Sequence, residues 1–434
     1  AEEFLPLPRW EATLLVLAVV GIYVTLGGFF GVILTDVLQT LLIGAGAVIM
    51  AVMVFARPAA RTFIAKDPAW FSLAPTWTLW SGFAGETPAA YGHFGLFGPL
   101  MAAGFLWMTF RLLSGPNVWD FQFFLTTRSP RDAQLAAGMW TVGYNLRWVL
   151  GVAFMVLGIY YLGTQAGFDA EKIMPLVLLK MPVGLRGLFM AVLLAALMST
   201  ISAMINVTSS VVINDFVKRY FARDMSQRTL VRLGQAASVA AVLVGFVFSL
   251  SFTNVVTAWE TMVFVVVTVI LVPATLRWHW WRFGARAFVW GMGASAVLIS
   301  LRLVFVKGLH ASASLAVDVG LGLAATLVAA ALTKPADMEV LVKFYAKVRP
   351  FGFWGPVRRE CVRRGLVPER DKMPRIDMLN GLVAAAFQFS LAILPFYLFL
   401  RNWKQLGIWL AAGAALAVVL YFTWYKTLPS KDEL

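Results

Sequence analysis

The stretch Gly27-Gly28-Phe29-Phe30-Gly31-Val32-Ile33-Leu34-Thr35-Asp36-Val37-Leu38-Gln39 joins two apolar runs, about 11–26 and 30–55. Each run approaches the roughly 20 apolar residues that cross a bilayer core of about 30 Å. Only two glycines separate them, and glycine tolerates the backbone angles of a sharp reversal. The pair therefore predicts a tight helical hairpin. Asp36 then falls inside the second run, where a carboxylate is costly and usually faces a cavity or a partner. It is a candidate functional group. Capping of the helix start, supported by Thr35 and Gly31, is the alternative the residues leave open.

Composition widens this reading to the whole chain. Of 434 residues, 60% are hydrophobic and 13% charged, with a mean hydropathy of +0.78. A soluble domain has too little interior for that much apolar surface, so lipid must act as solvent. The net charge of +14 sits between the apolar runs, as orientation charges do in membrane proteins. That placement argues against a nucleic-acid partner. A single cysteine, Cys361, excludes an internal disulfide, and three histidines leave little for a transition-metal site.

Nine further runs are long enough to be spans: about 98–114, 137–162, 183–213, 228–251, 254–276, 286–307, 312–333, 378–400 and 405–425. Backbone polar groups in hydrocarbon must pair within their own segment, so helices are expected. Lys and Arg concentrate in alternate connections, above all in 334–377, which holds eleven of them. The positive-inside rule then predicts an inner-membrane protein with its N-terminus outside and its C-terminus cytoplasmic. On that topology Lys431-Asp432-Glu433-Leu434 lies where no lumenal retrieval receptor reads it. The cluster Arg277-Trp278-His279-Trp280-Trp281-Arg282 reads as an interfacial belt, and 334–377 as a solvated basic loop. The intramembrane charges Arg147, Glu260, Arg302 and Asp318 read as internal ion pairs rather than substrate contacts.

Two further stretches break the apolar background. Within 183–213, Ala196, Ser199, Ala203, Asn206 and Ser210 recur at spacings of 3 and 4, so one helix face is wholly small or polar. Such a face allows close backbone approach. The Ser199 and Thr200 hydroxyls, with the Ala196 carbonyl one turn earlier, also offer the hard neutral oxygens a desolvated sodium ion takes. Spacing leaves both readings open. In Gly115-Pro116-Asn117-Val118-Trp119-Asp120-Phe121-Gln122, Gly and Pro interrupt the end of a span. This is either a broken helix of the kind that lines transporter sites or an ordinary helix end.

Taken together, these residues resemble the sodium/solute symporter family, which includes sodium–proline and sodium–glucose carriers. The resemblance rests on Gly27-Gly28 with Thr35-Asp36-x-x-Gln39, on Ala196-Leu-Met-Ser199-Thr200-Ile-Ser202 through Asn214 to Tyr220, and on Gln122 to Arg131. Phe123 departs from the family pattern, standing where an arginine is usual. The resemblance implies an all-α, LeuT-like inverted five-plus-five repeat, N-terminally incomplete and with extra C-terminal helices. On it, 1–276 is the transporter core: about 11–55 closes the first repeat and about 98–276 forms the second. Residues 277–333 add further transmembrane helices, 334–377 the basic loop, and 378–434 a C-terminal hairpin and tail. It implies sodium as coupling ion held by Ala196, Ser199 and Thr200, with Asp36 on the ion-release path. Asn117, Trp119, Gln122 and Asn206 are the candidate substrate and gating region, and absent N-terminal helices would complete the site.

The expected function is sodium-coupled symport of a small organic solute by alternating access. A membrane solute sensor signalling to a cytoplasmic partner is the alternative. No paired catalytic carboxylates or Ser/His arrangement points to an enzyme.

Overall fold

The computed structural model describes residues 7–57, 97–115, 118–162, 172–221, 225–252, 258, 268–306, 308–309 and 311–428. The regular elements among the described residues are helical, with one isolated bridge between Trp280 and Phe353.

Helix α1 (Arg9–Phe55) is broken at Gly28, where φ is 54° and ψ −153°. A Cβ built on Gly31 would lie 3.8 Å from the carbonyl oxygen of Tyr23. Eight residues of unbroken helix rise about 12 Å, so the chain doubles back at Gly28. Val20, Val24 and Val32 accordingly share one buried cluster. The two arms, 9–27 and 29–55, are the hairpin the glycine pair predicts.

The remaining elements follow in order: α2 (Phe97–Leu113), α3 (Val118–Leu125), α4 (Pro130–Gly143), α5 (Asn145–Leu162), α6 (Ile173–Leu179), α7 (Val183–Val211) and α8 (Gln227–Ser249). Then come α9 (Thr268–His279), α10 (Ala285–Phe305), α11 (Ala311–Leu332), α12 (Met338–Val348), α13 (Gly355–Arg363), α14 (Met373–Phe399) and α15 (Trp403–Thr423). Eight helices among the described residues have the length and composition to cross a membrane, with α1 counted once. Their apolar faces stay largely uncovered by protein; Leu26, Phe30 and Phe105 are more than three-quarters exposed. Lipid is the solvent that makes this stable. Of the run 254–276, the part before Thr268 is described only at residue 258.

The second arm of α1 lies antiparallel to α7. Gly46 sits against Val192, whose methyls would be 3.0 and 3.1 Å from an added Cβ. Ten residues earlier, Asp36 meets Ser199. Ile43, Met50, Phe154, Leu157, Phe189 and Val192 fill the space between this arm, α5 and α7. The first arm packs on α8, whose Gln235 Nε2 donates to the Thr25 carbonyl at 3.3 Å.

Helices α10 and α11 pair around a buried bidentate contact between Arg302 and Asp318, with Arg302 Nε donating to Asp318 Oδ1 at 2.8 Å. Internal pairing is what the sequence expects of these two charges. Arg147 instead lies over the Tyr144 ring, 5.3 Å from its centroid. Glu260 lies outside the described residues.

Segment 334–377 differs from the solvated loop expected of it. Helices α12 and α13 bury Leu341, Val342, Tyr345, Trp354, Val357, Cys361 and Val367 in a core of their own. The aromatic cluster at the C-terminal end of α9 holds this unit in place. Trp354 Nε1 donates to the Trp278 carbonyl at 3.0 Å. The Trp281 N–H donates to the Phe353 carbonyl at 3.3 Å. His279 reaches the carbonyls of Phe351 and Leu113 at 2.7 and 2.8 Å. These residues therefore make tertiary contacts besides any interfacial ones.

Candidate functional site

Three elements build the site: the second arm of α1, the middle of α7 and the short α3. The Gly28 break starts the arm, and within it Thr35 donates its hydroxyl back to the carbonyls of Gly31 and Val32, both at 2.9 Å. Asp36 is thus eight residues past the break. Its Oδ1 accepts from the Ser199 hydroxyl at 2.6 Å, across the helix interface. The carboxylate is engaged with another helix rather than with its own N–H groups, so the capping reading does not describe it.

On α7 the oxygens continue in a ladder. Thr200 donates to the Ala196 carbonyl at 3.2 Å, and Ser202 donates to the Ser199 carbonyl at 2.9 Å. Ala196 and Ser199 are half-buried and Thr200 is exposed. Within one turn, then, lie the Ala196 carbonyl, two hydroxyls and, opposite them, a carboxylate. All are hard oxygen donors suited to an alkali or alkaline-earth cation, with no soft nitrogen or sulfur among them. Among the described residues no group of three His, Cys, Asp or Glu side chains converges.

One to two turns further along α7, α3 crosses the small-residue face. Gln122 Nε2 donates to the Ala203 carbonyl at 3.2 Å, and Asn206 Nδ2 donates to Gln122 Oε1 at 2.8 Å. The small side chain of Ala203 permits this approach, so the face serves close packing as well. Of the four residues grouped by sequence as a substrate and gating region, Gln122 and Asn206 meet. Trp119 is placed in α3, and Asn117 lies outside the described residues.

The C-terminal end of α7 widens into a π-helical turn, Val212–Val217. There Asn214 bonds Ser210 Oγ at 3.1 Å, and Lys218 bonds Asn214 Oδ1 at 3.1 Å. Sequence reading did not single out Gln39 as a site residue, although it lies one turn from Asp36. It is buried, and its Oε1 has no hydrogen-bond partner.

The chain matches the family model described as the sodium:solute symporter family over residues 2–66 and 136–294. Both sides of the Asp36–Ser199 contact fall within the match; Gln122 falls outside it. The chain is similar to a sodium/glucose cotransporter of Vibrio parahaemolyticus, 26% identical over 250 residues, covering 51% of this chain and 43% of that protein. It is also similar to a sodium/mannose cotransporter of Bos taurus, 28% identical over 335 residues, covering 68% and 53%. The chain spans about half the length of these curated relatives. A solved structure of a Na+-coupled sialic acid symporter, substrate-bound and outward-open, superposes with a TM-score of 0.54 at 22% identity. The superposition covers 77% of this chain and 69% of that one, and it establishes the shared LeuT-like fold.

Proposed function

The chain belongs to the sodium:solute symporter family, and from that premise we propose that it takes part in sodium-coupled uptake of a small organic solute by alternating access. The observation that carries this reading is the Asp36–Ser199 hydrogen bond beside the Thr200–Ala196 pair. Sodium is taken by the Ala196 carbonyl and the hydroxyls of Ser199 and Thr200. Each hydroxyl keeps a lone pair while it donates its proton, Ser199 to the carboxylate and Thr200 to the carbonyl. Because Asp36 accepts the Ser199 proton, the Ser199 lone pairs are turned away from it and toward the ion. The ion in turn polarises that O–H and strengthens the bond to the carboxylate. This is the way outer groups orient the ligands of a cation. When the site opens inward, Asp36 is the charge that receives the leaving ion.

Neutral oxygens bind sodium weakly enough to release it. Coupling then follows from differential affinity: sodium favours the outward-facing state, and the solute binds that state better. Gln122 and Asn206, joined across α3 and α7, lie on the solute side of this arrangement. The positive-inside pattern supports an N-terminus outside and a cytoplasmic C-terminus, with the folded unit 334–377 on the cytoplasmic face. The repeat boundaries read from the sequence belong to the same proposal. The test is sodium-driven uptake in proteoliposomes. Ser199→Ala with Thr200→Ala raises the sodium concentration for half-maximal uptake, and unchanged sodium dependence would remove the assignment.

A further inference from the structure

We propose that Gln39 supplies a further oxygen to the cation, from the α1 side, through its side-chain carbonyl. The inference rests on the sodium-coupled reading above. Gln39 is 9% exposed, and its Oε1 is buried without a hydrogen-bond partner. A buried carbonyl left unpaired is costly, and a leucine or methionine would fill the same volume without that cost. An unused polar atom at such a position calls for something that uses it.

Its position says what. Two contacts fix the register of the α1 arm against α7: Asp36 with Ser199, and Gly46 with Val192. As numbers rise along α1 they fall along α7. Gln39 lies one turn from Asp36 toward Gly46, which brings it level with Ala196. The face agrees, because Gln39 lies on the buried side with Val32, Ile43, Ala47 and Met50. Ile43, the next buried residue on that side, packs in the cluster that takes in Val192 and Ala196. Gln39 therefore stands opposite the turn of α7 that carries the Ala196 carbonyl and the Thr200 hydroxyl. An amide carbonyl is a neutral hard oxygen like theirs. It would add a ligand without adding charge, which suits an ion that has to leave again.

The experiment uses Gln39→Met in the full chain, reconstituted in nanodiscs, with melting temperature followed against sodium concentration and choline as the balancing cation. Methionine keeps the length and removes the oxygen. The expected result is an unchanged or higher melting temperature in choline, and a sodium midpoint raised about tenfold, corresponding to about 1.4 kcal/mol. A lower melting temperature in choline with the sodium midpoint unchanged would overturn the proposal, because Gln39 would then be a structural hydrogen-bonding residue. Ser199→Ala/Thr200→Ala is run in parallel. If that variant shifts the midpoint and Gln39→Met does not, the Gln39 ligand alone is lost. If neither shifts it, the sodium reading and the inference fall together.

Discussion

Ser199 on α7 donates its hydroxyl to Asp36 on α1 at 2.6 Å, joining residues 163 apart in the chain. The contact closes the interface of two antiparallel spans at one polar point, with packed side chains above and below it. Hydrogen bonds to a charged partner contribute about 1.5–3 kcal/mol. The contact therefore orders Ser199 and fixes how the α1 arm sits on α7.

Asp36→Asn keeps an acceptor for Ser199 and removes the charge. The account expects a modest change in melting temperature in choline and a sodium midpoint raised roughly 10- to 100-fold, the span of a charge-assisted bond. Sodium titration of thermal stability measures both. A midpoint equal to that of the native protein would remove Asp36 from the ion path.

Gly46 allows α1 and α7 to touch. A Cβ there would come within 3.0 Å of Val192. Gly46→Ala is expected to destabilise by about 1–3 kcal/mol through overpacking. Val192→Ala in the same chain should recover most of that loss, in a double-mutant cycle read by thermal unfolding. Additive losses would place the strain elsewhere.

The buried pair Arg302–Asp318 gives an asymmetric prediction. Asp318→Leu strands a guanidinium and should cost about 3–5 kcal/mol, whereas Arg302→Leu with Asp318→Leu should recover most of it. Differential scanning fluorimetry on the native protein and the two variants decides. Sodium midpoints should stay unchanged throughout, since α10 and α11 contribute none of the proposed ligands.

Cys361 reports on the folded unit 334–377. It is the chain's single cysteine, fully buried, and burial pushes its thiol above the usual range. At neutral pH it should resist alkylation by maleimide, and Trp354→Ala should expose it. Acid should do so too. Hydrogen bonds from Arg364 hold the Glu339 carboxyl below its ordinary value, and those from Arg363 and Arg364 do the same for Glu360. A carboxylate lowered in the folded state stabilises above its unfolded value, about 4.3, and that contribution disappears as pH falls through the folded value. Below about pH 4 Cys361 should become reactive to 2,2′-dithiodipyridine, which works in acid. Equal reactivity at pH 7 and well below pH 4 would count against that stabilisation.

Particular residues show what the sequence could and could not reveal. The long apolar runs and the Gly27-Gly28 pair announced spans and a hairpin, because hydropathy and φ freedom are local properties. The small-residue face of Ala196, Ser199, Ala203, Asn206 and Ser210 is legible from spacing, as is the adjacent hydroxyl pair Ser199 and Thr200, but spacing does not separate ion binding from close packing. Asp36 is legible as a costly charge and, through the resemblance, as a group on the ion-release path, but its direct bond to Ser199 is not, since nothing local ties it to a residue 163 positions away. Gln39 is legible as a motif residue but not as a site residue, because a glutamine among apolar residues gives no sign of a ligand role until its burial is known. The folded nature of 334–377 was hidden for a similar reason. Its core residues, among them Leu341, Trp354 and Cys361, are sparse between basic ones. They become a core only when Trp278 and Trp281, more than fifty residues earlier, bind the same unit.

The most direct test is the melting temperature of the purified full chain in sodium against choline, with and without Ser199→Ala/Thr200→Ala. Binding to the folded state at one hundred times Kd stabilises by about 2.7 kcal/mol. The account expects a sodium-specific rise in the native protein that the double variant loses. A folded native protein that melts alike in both salts, or a variant that keeps the full rise, would contradict a sodium site on α7.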